Sequence, residues 1–132
     1  MARTVSGVER VSGFEKRPDY PLTVEPAGGK VHVKAGAVVI AKSERPYIVE
    51  EAKYPPVLYL PRQDVHIELL ARTEHTTHCP FKGDASYWSI VLEDERLENA
   101  VWSYEDPFEQ LSVLKDLMAF YPDKVDILWS GD

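Results

Sequence analysis

Residues 77–88 read THCPFKGDASYW and bring a thiol, an imidazole, an ammonium, a carboxylate and a phenol into one short stretch. Cys79 is the chain's single cysteine. As a nucleophile it needs a base or a positive neighbour to hold the thiolate. Lys82 lies three residues on, and Pro80-Phe81 favours a turn that brings the ammonium back towards the thiol. His78 is adjacent in sequence but points to the opposite face of an extended chain. The commoner fate of a free cysteine is burial as a small apolar residue, and burial is the favoured reading of Cys79.

Lys82-Gly83 at a turn can aim backbone N–H groups and an ammonium at an anion. In YLPRQDV, Arg62 offers a second cation and Asp64 a carboxylate. The spacing is not that of a phosphate-binding glycine loop, and no cofactor is expected. Cys79, Asp64 and Lys82 are the catalytic candidates. Arg62, Thr77, Tyr59, Tyr87, Trp102 and Tyr104 are the ligand-binding candidates. The tyrosines need hydroxyl partners and can line a cleft, whereas core packing is the plainer role for Trp88 and Trp102. No metal site is assigned. His75 and Cys79 share a strand face but stand roughly 13 Å apart in extended chain, and no second cysteine exists to complete a zinc tetrahedron.

Strands must position these groups. VHVKAGAVVIAKS (31–43) reads as a hairpin turning at Lys34-Ala35-Gly36. Pro46 and Pro55-Pro56 predict edge strands and loops. Residues 57–61, 64–70, 84–92, 99–104 and 125–129 read as further strands. On 84–92, Ser86, Trp88 and Ile90 share one face and Ala85, Tyr87 and Ser89 the other; on 99–104, Ala100, Trp102 and Tyr104 share a face. A helix is predicted over about 106–121, with Asp106 as N-cap, Pro107 in the first turn, and Leu111, Leu114, Leu117, Met118 and Tyr121 as its stripe. Residues 1–21 form an N-terminal arm, and 22–132 a single mainly β domain with antiparallel strands.

The 132 residues, 44% hydrophobic and 28% charged, suit one small globular domain. A formal charge of −7 with scattered bases argues against nucleic-acid and anionic-membrane partners. No apolar run approaches the roughly 20 residues of a membrane span, and the first residues lack a secretory core. A cytoplasmic protein is expected. Its oligomeric state is not read.

YLPRQDV, THCPFKGDASYW, NAVWSYEDP and AFYPDKVD, in that order, resemble the bacterial and fungal family called domain of unknown function 427, over roughly residues 28 to 129. The resemblance implies a small β-tent-like fold of two antiparallel sheets. Relatives of that fold hold zinc with two C-x-x-C pairs, which this chain lacks, so such a site would be lost. The family has also carried a nucleotidyltransferase label. That chemistry wants paired carboxylates around magnesium; Asp64 has no clear second, and Asp84 is a loose candidate. Motif positions carried over are Pro61, Asp64, Thr77, Cys79, Pro80, Lys82, Gly83, Tyr87, Trp102 and Tyr104. Gly83 and Pro80 are expected to be structural.

Two functions remain open. The first is a domain binding a small anionic ligand in a cleft beside the 77–88 motif, with or without catalysis. Tyr59, Tyr87 and Tyr104 would be its walls, and Arg62 and Lys82 its anion holders. The second is an interaction module using the 106–121 helix or a sheet edge. Nucleotidyltransferase-type or metal-dependent activity is the third alternative.

Overall fold

The computed structural model describes residues 3–5 and 8–130, with backbone alone for residues 3–5 and 8–10. Twelve strands make three antiparallel sheets. Strands β1 (Arg3–Val5) and β2 (Val8–Arg10) pair with each other. Then come β3 (Leu22–Pro26), β4 (Lys30–Ala35), β5 (Val38–Ser43), β6 (Tyr47–Glu51) and β7 (Val57–Pro61). The rest are β8 (Leu70–Cys79), β9 (Gly83–Val91), β10 (Arg96–Ser103), β11 (Leu117–Phe120) and β12 (Asp126–Ser130). A seven-stranded sheet runs β3-β6-β7-β11-β10-β9-β8, and a three-stranded sheet runs β12-β4-β5. The mainly β architecture expected from the strand signals is thus present, and so are the two antiparallel sheets that the resemblance implies, with the β1–β2 pair in addition.

One face of the large sheet packs on the small one. Trp88, Ile90, Leu60, Met118 and Phe120 meet Val31, Val33 and Ile40 in this core. The other face carries a second cluster that includes Tyr59, Tyr87 and Tyr104, together with Phe14, Tyr20 and Phe81. Alternation puts the two sets on opposite faces of the same strands.

Three sequence expectations are corrected. The helix over 106–121 does not form. Glu109–Asp116 is a run of 3-10 turns interrupted at Leu111, and Leu117–Phe120 is strand β11, buried at all four residues. Leu117, Met118, Ala119 and Phe120 are consecutive apolar residues, more than one helical stripe can bury, and they suit a central strand covered on both faces. Leu111 and Leu114 keep the buried spacing of a 3-10 turn. Leu111, Leu114, Leu117 and Met118 of the expected stripe are nevertheless buried in the protein. Residues 64–70 are not a strand either. Arg62–Asp64 and Ile67–Leu69 are 3-10 turns, with one isolated bridge from Val65 to Ala41. The chain here leaves the middle of the large sheet and returns at its edge, so it must turn. Finally, β6 and β7 are interior strands, because Pro46, Pro55 and Pro56 fall in the connections rather than in the ladders.

The 31–43 hairpin forms with its turn one residue later than expected, at Gly36-Ala37, where Gly36 has φ +62°. On β10, Asn99 has φ +48° and the register shifts between Leu97 and Val101. This bulge sends Ala100 into the inter-sheet core, while Trp102 joins the opposite cluster.

Candidate functional site

The 77–88 motif is a β-hairpin. Cys79 faces Gly83 across the β8–β9 ladder, and residues 80–82 make the connection. Gly83 has φ +111°, a backbone angle that side-chain-bearing residues resist. The turn throws Lys82 inward, where it is 8% exposed. Its Nζ donates to Glu51 Oε1 at 2.5 Å and lies 5.8 Å from the Tyr104 ring centroid. The Tyr20 hydroxyl donates to the second carboxylate oxygen of Glu51 at 2.7 Å. That hydrogen bond, more than the burial that adds to it, pushes the Tyr20 phenol up to about 12. The phenol stays protonated and is committed to Glu51.

Cys79 is half-buried and packs against the aromatic cluster. Tyr47, Tyr59, Ala119, Trp102 and Tyr87 stand in register across five neighbouring strands. Direct antiparallel partners share a face, so the row forms one band of the sheet. The Trp102 indole N–H donates to the Tyr59 hydroxyl at 3.1 Å, with the rings nearly perpendicular. Burial raises the phenols of both Tyr59 and Tyr104. The Tyr87 hydroxyl lies 2.9 Å from Thr77 Oγ1 and 3.4 Å from the Tyr121 hydroxyl. Burial first, then the Tyr87 contact, pushes Tyr121 up to about 12. The His75 ring covers Tyr87 at 4.4 Å. Tyr59, Thr77, Cys79, Lys82, Tyr87, Trp102 and Tyr104 are therefore neighbours on one face.

Arg62 and Asp64 are not among them. Arg62 packs over the Trp88 ring and pairs with Glu105 at 3.0 Å, on the inter-sheet side. Arg72 covers the same indole and binds the other Glu105 oxygen at 2.8 Å. Asp64 accepts from Ser43 at 2.6 Å and pairs with Arg45 at 3.3 Å. Asp84 is bound instead to His78 at 2.7 Å. Arg62 and Lys82 thus have no shared partner, and neither do Asp64 and Asp84. Among the described residues no group of three or more His, Cys, Asp or Glu converges on a point.

A groove of about 560 Å³ opens beside the motif turn, lined by Arg17, Tyr20, Pro21, Glu51, Ala52, Lys53, Tyr54, Pro80 and Phe81. The Tyr20 and Phe81 rings of its lining are stacked, with centroids 3.8 Å apart and planes 5° from parallel. Phe14 stands T-shaped to both rings, and the Gly13 N–H donates to the Pro80 carbonyl at 2.7 Å. Arg17 lies over Tyr20 at 5.0 Å. Ala52 has φ +45°, an uncommon angle for a residue with a Cβ, and its N–H donates to the Pro21 carbonyl at 2.7 Å. Arm and hairpin are thereby locked against the β6–β7 turn.

The model of a family described as Domain of unknown function (DUF427) matches residues 23–131. The chain belongs to this family. No curated protein matches it. The DUF427 match begins after Tyr20, so Arg17 and Tyr20 lie outside it, whereas Glu51, Lys53, Tyr54, Pro80 and Phe81 lie within it. Of the groove residues, Arg17, Glu51, Lys53 and Tyr54 escape the sequence reading. Their only signals are the Pro55-Pro56 pair, which marks a loop, and two arm aromatics unsuited to solvent.

Proposed function

We propose that this DUF427 domain binds a small anionic ligand in the groove beside the 80–82 turn. The observation that carries this reading is the charge of the lining. Among the described residues Glu51 is the one acidic group lining the groove, and both of its oxygens are engaged, by Lys82 and Tyr20. Arg17 and Lys53 remain as the groove's cations. They replace Arg62 and Lys82 as anion holders. Lys82 neutralises Glu51 and so keeps the wall from repelling an anion. The volume falls within the range of small-molecule sites.

Thermal unfolding in the presence of inorganic phosphate and of succinate tests the proposal. A ligand bound only by the folded chain raises Tm in proportion to its occupancy. At saturating anion Tm should rise for the wild type, and the rise should be lost in the Arg17→Gln/Lys53→Gln double variant. An unchanged Tm with both anions, or an equal rise in the double variant, overturns it.

A further inference from the structure

Resting on that anionic reading, we infer the ligand's class: a flat aryl ring carrying one carboxylate or phosphate group. The groove's cations do not stand alone. Aromatic rings and prolines form the rest of its wall, namely Tyr20, Tyr54, Phe81, Pro21 and Pro80. A site for a bare inorganic ion has no use for that surface.

The rings are not equivalent. Phe81 occupies one face of Tyr20 and Arg17 the other. The Tyr20 hydroxyl is spent on Glu51. The pair therefore lines the groove as a fixed aromatic surface rather than as a free hydrogen-bonding group. Tyr54 is the opposite case, 61% exposed, with no ring contact of its own among the described residues. It is a large apolar side chain held at the mouth of a groove, on the turn that the strained Ala52 begins. A flat ring set against Tyr54 and the Tyr20–Phe81 pair covers apolar surface on both. Its anionic substituent then reaches Arg17 or Lys53.

Charge limits the size of the head group. With Glu51 neutralised by Lys82, Arg17 and Lys53 are the cations that line the groove among the described residues. That matches a carboxylate or a single phosphate, and falls short of a triphosphate chain. Aryl carboxylates and aryl phosphates share this chemistry.

Four probes separate the outcomes by titration calorimetry on the full chain: phenyl phosphate, benzoate, inorganic phosphate and acetate. The aryl anions should bind more tightly than the corresponding simple ions, by about tenfold for the gain of a buried ring. Phenyl phosphate binding above benzoate identifies a phosphate head; the reverse order identifies a carboxylate. Tyr54→Ala, an exposed position whose loss leaves the core intact, should weaken aryl binding by between about twofold and tenfold, the range of one aromatic pair. It should leave inorganic phosphate unchanged. Equal affinity for aryl and simple anions, or full aryl affinity in Tyr54→Ala, overturns the ring assignment while the anionic reading stands. No binding of any of the four overturns both.

Discussion

An ammonium leaves water at a cost of several kcal/mol, and Lys82 does so because Glu51 meets it inside. Lys82 is buried and Glu51 largely so, with side chains 10% and 17% exposed. Removing one member leaves the other charged and stranded, which is the expensive case, whereas replacing both with apolar groups of similar volume is close to neutral. Lys82→Met should therefore destabilise the domain by about 3 kcal/mol. Lys82→Met/Glu51→Leu should recover most of that loss. Urea unfolding of the two variants checks the order, and a double variant weaker than the single would mean that the Tyr20 bond to Glu51 outweighs the ion pair. The sequence marks Lys82 as chemically unusual, but its partner lies 31 positions away in β6, with nothing local to announce it.

The hairpin is the element that local signals describe best. Pro80, Lys82 and Gly83 punctuate two strands, and the chain turns where they stand. Gly83→Ala would force a Cβ onto φ +111° at the first residue of β9. A cost of about 1–3 kcal/mol is expected, with the Cys79–Gly83 end of the ladder loosened. Faster amide exchange at 77–85 than in the far half of β9 would report it; uniform exchange would show that the strain is absorbed elsewhere. Residues 106–121 show the opposite situation. Their apolar spacing fits a helix locally, and Asp106-Pro107 resembles a helix start. The decision is made by the gap between β7 and β10, which needs a strand buried on both sides. Leu117–Phe120 fills it, pairing Met118 with Leu60 and Trp102 with Ala119. Periodicity in one segment cannot reveal a vacancy in a sheet assembled from distant strands. The same holds for the Tyr20–Phe81 stack, which joins an arm outside the family match to the motif turn.

At the scale of the whole molecule, the large sheet separates two polar clusters that the sequence would merge. Lys82, Glu51 and Tyr20 lie on the face covered by the arm, while Arg62, Arg72 and Glu105 close the inter-sheet side over Trp88. No helix among the described residues is long and apolar enough to cross a membrane. The second cluster ties the end of β7 to β8 and to the segment after β10, so its charge state bears on how the sheet's end is held. The Arg72 hydrogen bond above all, then Arg62, holds the Glu105 carboxyl below the usual carboxylate range. A depressed folded-state pKa contributes stability that is complete above the unfolded value, near 4.3 for glutamate. It is lost as pH falls through the folded value. Below that window Glu105 is protonated in both states and contributes nothing. Glu105→Gln should therefore be less stable than the wild type at neutral pH, and the two should converge on acidification. Arg72→Gln should behave similarly, with a smaller deficit because Arg62 remains on the carboxylate. Thermal unfolding from pH 7 down through pH 3 measures the convergence, and parallel curves would show that Glu105 acts by shape rather than by charge.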